Sequence, residues 1–187
     1  TVVNPQWAMP RFVDRQADDY RLRAPVAGLR FTSPGVDAAD VLLDRALPPG
    51  YTNLLTNAGF EAGTTGWTIN PGAGVKGGAP QAWEGGNRFF AGNLEAGFAE
   101  QRVDLLAAGY SAAQLDAGQF DVVFGGRVRR ADDGTRDEGS VAVRFLNAAG
   151  DVISERIVDA RNVADRWELV GGRAAIPVGA RAVLFRF

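Results

Sequence analysis

Apolar side chains recur at every second residue in short segments of the C-terminal half of the chain. In the segment 140–146, Val141, Val143 and Phe145 occupy one face of an extended chain, and the final segment, 183–187, repeats the pattern. A period of two is that of a β-strand with one buried face, and Gly-rich turns separate the segments. The spacing therefore predicts an all-β chain folded as a two-sheet sandwich.

One short stretch carries a helix signal instead. Residues 111–115 read Ser-Ala-Ala-Gln-Leu, with Ser111 in the place of an N-cap. A serine hydroxyl there accepts a hydrogen bond from a free N–H of the first turn. The sequence predicts a single helical turn at this point.

Composition excludes several function classes. The net charge of −2 and the pI of about 5.2 give no electrostatic basis for nucleic-acid binding. The chain contains neither cysteine nor histidine, which excludes thiol catalysis, a Ser-His-Asp triad and zinc held by thiolate or imidazole. No apolar run reaches the roughly 18 residues of a membrane helix. Lys76 is the single lysine among 20 basic residues, a bias that indicates a GC-rich bacterial genome.

Four sequence runs fall in an order that resembles a known family. They are NLLTNAGFEAGTTGW at 53–67, QRVDL at 101–105, FLNAAG at 145–150 and IPVGAR at 176–181. Together they resemble the galactose-binding-like jelly rolls of carbohydrate-binding modules. The resemblance covers residues 52–187 and implies a jelly-roll β-sandwich of two antiparallel sheets.

The first 51 residues have a different character. The runs PRFVD at 10–14, DYRLR at 19–23 and TSPGVDAAD at 32–40 resemble the C-terminal end of right-handed parallel β-helix proteins. A terminal coil cannot bury its own apolar face, so this resemblance implies a larger parent chain. The alternative is an irregular arm that wraps the sandwich. The linker Pro48-Pro49-Gly50 separates residues 1–51 from the predicted sandwich at 52–187.

A Gly-rich loop carries the candidate ligand site. Glycan binding in modules of this type depends on exposed aromatic rings flanked by polar groups. Trp83 lies in such a loop, with Glu84, Asn87 and Arg88 beside it. These four residues are the predicted glycan contacts. The family pattern places the other two tryptophans of the region, Trp67 and Trp167, in the core.

The resemblance also implies a structural calcium ion. In similar jelly rolls the glutamate of the Gly-Phe-Glu run is a calcium ligand, and here that residue is Glu61. Calcium requires six to eight oxygen ligands, and Asn57 and the Gly59 carbonyl are the predicted additional donors.

These observations predict a non-catalytic binding or attachment module. It would belong to a larger bacterial protein that is secreted, periplasmic or on the cell surface, with any catalysis in a region upstream of Thr1. The ligand is a glycan in this interpretation. The alternative is a structural or adhesion subunit that holds a protein partner in an assembly and recognises no sugar. Neither interpretation involves nucleic acid or a transmembrane segment.

Overall fold

The computed structural model describes residues 12–14, 19–22, 28–32, 53–131 and 137–187. Twelve β-strands and one helical turn lie in these ranges. The strands are β1 Phe12–Asp14, β2 Asp19–Leu22, β3 Gly28–Thr32, β4 Thr68–Ile69, β5 Gly74–Gly77, β6 Asn87–Phe90, β7 Ala99–Asp104, β8 Asp121–Arg129, β9 Ser140–Leu146, β10 Val152–Asp159, β11 Trp167–Ala175 and β12 Ala182–Arg186. The helix α1 spans Ala112–Asp116 between β7 and β8.

Two sheets form the body of the protein. One has the order β10-β9-β12-β7-β4 and the other the order β11-β8-β3, while β1-β2 and β5-β6 pair separately. Both main sheets are open, as in a β-sandwich, and the all-β prediction is confirmed. The pairings are antiparallel, except that β3 runs parallel to β8. The jelly-roll subclass stays a prediction.

The predicted N-terminal unit at 1–51 contains β1, β2 and β3, and its other residues lie outside the described ranges. Since β3 extends the sheet of β8, this part of the chain supplies an edge strand to the sandwich. A parallel pair needs a long crossover, and residues 33–120 provide it here. Its resemblance to a β-helix end stays a prediction.

Aromatic side chains fill one end of the core. Phe60 stacks on Trp67 with ring centroids 4.7 Å apart and on Phe89 at 5.7 Å. Phe185 and Phe187 meet edge to face at 5.0 Å. Such geometries suit the ring quadrupoles and add to the gain from burial. The prediction that Trp67 is buried is confirmed, because only 8% of it is exposed.

The Asn-rich run that opens the sandwich organises a tight loop. Asn57 has a positive φ of 47°, and its side-chain amide donates to the carbonyls of Gly63 and Thr65 while its Oδ1 accepts from the N–H of Ala62. The indole N–H of Trp67 donates to the Asn57 carbonyl at 3.0 Å. The motif at 53–67 therefore owes its residues to loop closure and core packing.

The predicted helical turn is present with its cap. Ser111 accepts from the Gln114 N–H, and the Gln114 side chain accepts from the Ser111 N–H, which is a complete capping box. At the other end, Asp116 accepts two bonds from the Arg181 guanidinium at 2.9 and 2.8 Å and one from the Gly179 N–H. This bond set ties α1 to the turn before β12.

The Asp116 bonds make part of the stability pH-dependent. The hydrogen bonds from Arg181 and Gly179 lower the pKa of Asp116 from 3.8 to about 2. A carboxyl with a depressed folded-state pKa stabilises the fold above its unfolded pKa, and this contribution disappears as the pH falls from about 4 to about 2. We expect Asp116→Asn to be less stable than wild type at pH 6, and we expect the difference in the free energy of unfolding to shrink as the pH falls toward 2. Urea unfolding at a series of pH values measures this difference, and a pH-independent difference would contradict the assignment.

Candidate functional site

The loop between β5 and β6 carries Trp83 and is anchored at several points. Arg88 donates to the carbonyls of Gly78 and Ala79 at 3.2 and 3.1 Å. The indole N–H of Trp167 donates to the Gln81 carbonyl at 3.0 Å. These bonds hold the backbone of the segment that precedes Trp83.

Trp83 presents its ring at the surface of this loop. Its exposed fraction is 51%, and the guanidinium carbon of Arg127 lies 4.0 Å from its ring centroid. That distance is within the range of a cation–π contact, which fixes the orientation of the indole. The arrangement is an exposed aromatic ring supported from one side by a β8 side chain.

The three polar residues predicted beside Trp83 differ in what they contact. Arg88 bonds to loop carbonyls, and the Asn87 backbone and side-chain N–H groups both donate to Glu61. The hydrogen bonds of Asn87 and Arg88 therefore stabilise the conformation of the loop. Glu84, which follows Trp83, is exposed. Of the predicted polar contacts, Glu84 is the one whose side chain is exposed and has no role within the loop among the hydrogen bonds described above.

Glu61 joins the opening loop to the Trp83 loop. Its Oε1 accepts from the N–H groups of Gly86 and Asn87 at 2.9 and 3.0 Å, and its Oε2 accepts from the Asn87 amide at 3.3 Å. Gly85 allows this approach, since a Cβ there would lie 2.3 Å from Oε1 at a φ of +74°. Glu61 acts as a clamp between two loops.

The predicted calcium ligands do not fit a calcium ion as they are arranged. The partners of Glu61 are N–H donors, whereas calcium requires a shell of oxygens. The Asn57 oxygen accepts from the Ala62 N–H. Within the described ranges, no three Asp or Glu residues gather around one point. Calcium, with Gly59 as its third predicted ligand, stays a prediction.

Two residues that contact the Trp83 loop, Arg127 and Trp167, were not among the predicted site residues. Arg127 follows Gly126, whose missing Cβ would lie 2.2 Å from the Phe187 ring, so Gly126 faces the core and Arg127 the opposite side. Trp167, predicted to be buried, is half-buried and lies outside the core cluster. It pairs with Arg129, two residues from Arg127, and shares its outward face. The period-two rule applied from Gly126 onward would have indicated Arg127.

Comparison with known proteins gives no family assignment. No protein family and no curated protein matches the sequence. A crystal structure of the enzymatically active domain of bacteriophage CBA120 tailspike protein 4 is similar at 12% identity and a TM-score of 0.49, over 72% of this chain. The chain spans 19% of that tailspike chain. A likeness at this level assigns no activity.

The described part of the chain contains no helix long and apolar enough to cross a membrane.

Proposed function

We propose that this protein is a non-catalytic module that binds glycan, with the exposed face of Trp83 as the stacking surface. The observation that supports this is a half-exposed indole on a loop held by Arg88 and Trp167. Sugar rings present apolar C–H faces, and an indole covers such a face with little loss of conformational entropy. Glu84, the exposed residue that follows Trp83 in the sequence, would supply a hydrogen-bond acceptor for sugar hydroxyls.

The sequence also indicates in what kind of protein the module would act. A jelly-roll module of the carbohydrate-binding type would act within a larger protein that is secreted, periplasmic or on the cell surface. Its work would be attachment, since binding through one aromatic platform requires no reacting group. The β-helix resemblance of residues 1–51 supports a parent chain of that kind.

Trp83→Ala is expected to weaken glycan binding by about tenfold or more, equivalent to about 1.4 kcal/mol. The reason is the loss of the apolar ring at the centre of the contact. The measurement is retention of wild type and variant on immobilised cellulose, xylan, mannan, chitin and dextran, followed by titration with the soluble form of any polysaccharide that retains the wild type.

Two variants control for this result. Trp83→Phe keeps an aromatic face and should retain most of the glycan affinity. Val178→Ala removes an apolar side chain that is 67% exposed on another loop, and it should leave glycan affinity unchanged. Equal binding by wild type and Trp83→Ala would contradict the role of Trp83. If none of the five polysaccharides retains the wild type, the glycan proposal fails.

A second candidate function, attachment to a protein partner, is supported by β10. This strand ends its sheet, and all of its residues except Val158 are exposed. Val152, Ile153 and Ile157 are 55%, 40% and 47% exposed, an unusual apolar content for a free sheet edge. A partner strand could pair there. The size of the native protein, measured with its co-purifying proteins, tests this candidate.

A further inference from the structure

The strand β10 has hydrogen-bonding groups on its open side. Among the described strands it pairs with β9 alone, and Asp159 is opposite Ser140 in that pairing. The next pair continues the register, since the Ala160 N–H donates to the Gly139 carbonyl at 2.8 Å. Bonded residues alternate along an antiparallel strand, so the residues between those that bond to β9 direct their N–H and C=O groups to the open side. These residues are Glu155, Ile157 and Asp159.

The side chains of the same three residues share the outer face of the sheet. Glu155 is opposite Arg144, next to Val143, which is fully buried and faces the core. Successive side chains alternate between the faces of a sheet, so Glu155 faces outward. Ile157 and Asp159 follow at intervals of two residues and face the same way. Ile157 is 47% exposed.

This outer row, Glu155, Ile157 and Asp159, reads acidic, apolar, acidic. Arg144 forms an ion pair with Glu155 from the β9 side, which holds that carboxylate on the outer face. Asp159 is exposed, and its side chain forms no hydrogen bond or ion pair with any residue that the structure describes. The outer row therefore keeps a net negative charge even when Arg144 is included.

A second copy of β10 does not complement this row. Opposed residues of an antiparallel sheet share a face, which leaves two registers for the longest pairing of residues 154–159 with themselves. The register centred on Ile157 places Glu155 opposite Asp159 of the second copy on both sides of the centre. The register centred on Arg156 places that arginine opposite itself. Like charges directly opposite each other destabilise a strand pair, so these charges oppose self-association at the open edge.

We infer that β10 accepts a strand from a different protein, in which two basic residues flank an apolar one at alternate positions. The basic side chains lie opposite Glu155 and Asp159, and the apolar side chain lies opposite Ile157. This inference rests on attachment to a protein partner, the second candidate function above, and is independent of glycan binding at Trp83. Backbone hydrogen bonds supply affinity in such an added strand, and the side chains opposite the outer row select the partner.

The test uses synthetic peptides as stand-ins for the partner strand. The peptide Thr-Lys-Thr-Val-Thr-Lys-Thr places its lysines opposite the two carboxylates, and the same peptide with glutamates in place of the lysines is the matched control. Fluorescence anisotropy of labelled peptides with the full chain should give about tenfold or more higher affinity for the lysine peptide, because two attractive pairs become repulsive. The difference should shrink in about 1 M NaCl, which screens exposed charges.

Methylation of single peptide nitrogens separates strand pairing from charge attraction. An N-methyl group on the central valine removes the N–H that bonds to Ile157, and should lower affinity for the chain about tenfold or more. The N–H of the neighbouring threonine points away from β10, so methylation there should leave most of the affinity. Equal affinities of the two methylated peptides would overturn strand pairing at β10.

Asp159→Lys tests the charges on the protein side. This variant should lose affinity for the lysine peptide, and it should dimerise at concentrations at which wild type is a monomer. The reason is that the register centred on Ile157 then places opposite charges across the strand pair, on both sides of the centre. Glu95→Lys makes the same change in net charge at an exposed residue outside β10, and should behave as wild type. Sedimentation equilibrium measures the association.

The outcomes separate this inference from the function on which it rests. If both peptides bind equally and methylation of the valine abolishes binding, a strand binds at β10 but the basic pattern is wrong. If no peptide binds at about 1 mM while the native protein co-purifies with other proteins, attachment stands and β10 is not its surface. If the native protein also has no co-purifying protein, attachment and the inference both fail. A wild-type dimer that the lysine peptide disperses would make a second copy the occupant and overturn the inference.

Discussion

Trp67→Ala is expected to destabilise the fold by about 3–5 kcal/mol, the range for truncation of a buried large aromatic. Trp67 is in contact with Phe60 at 4.7 Å, Phe187 at 5.9 Å and Phe185 at 6.1 Å between ring centroids. Its indole N–H also closes the 53–67 loop by donating to Asn57. The alanine variant therefore loses core packing and a loop contact together. Guanidinium unfolding followed by tryptophan fluorescence measures the loss.

The control separates packing from the hydrogen bond. Trp67→Phe keeps a ring in the aromatic cluster and loses the bond to the Asn57 carbonyl, so we expect a loss of about 1–2 kcal/mol. Since small domains are stable by only about 5–15 kcal/mol, the alanine variant could be largely unfolded at 37 °C. A loss below about 1 kcal/mol for Trp67→Ala would contradict the central position of this ring.

Gly171→Ala is expected to destabilise the fold by about 3 kcal/mol or more through a backbone clash. A Cβ at Gly171 would lie 2.3 Å from the carbonyl oxygen of Phe124 and 2.6 Å from the Cα of Gly125. Gly171 and Gly125 are opposite each other in the β8–β11 ladder. Because the obstructing atoms belong to the backbone, no side-chain rotation relieves the contact, and the two strands have to separate locally.

The next residue is the matched control. A Cβ at Gly172 would meet its nearest neighbour, Cγ2 of Val158, at 3.5 Å, which is ordinary van der Waals contact. Gly172→Ala should therefore stay within about 1 kcal/mol of wild type, since alanine also reduces the entropy of the unfolded chain. Thermal and denaturant unfolding of both variants provide the comparison. Equal free energies of unfolding for Gly171→Ala and Gly172→Ala would show that β8 and β11 accommodate the extra Cβ without loss of stability.

The sequence was sufficient wherever a feature depends on residues close together in the chain. The period-two pattern predicted β9 at its observed bounds, 140–146, because alternating apolar side chains bury one face of a strand. Ser111 predicted the helical turn, since a cap acts over three residues. Trp67 was assigned to the core correctly by the family pattern.

The candidate site shows where sequence-based prediction fails. Trp83 was selected from its Gly-rich surroundings, yet Asn87 and Arg88 bond to protein groups inside the loop region. Trp167 was assigned to the core, although it lies on the outward face of β11. Composition and spacing do not reveal which partner a polar side chain will find, because those partners lie in other loops and strands.

Local sequence patterns were enough to predict the class of structure: strands from alternation, turns from glycine and asparagine, and a core from the clustered aromatics. The surroundings of Trp83 came from contacts between distant parts of the chain. Folding placed Arg127 under Trp83 and Trp167 against Gln81, a contact across 86 residues of chain. Backbone propensity and side-chain period act locally, whereas these neighbours depend on how strands and loops far apart in sequence pair and pack.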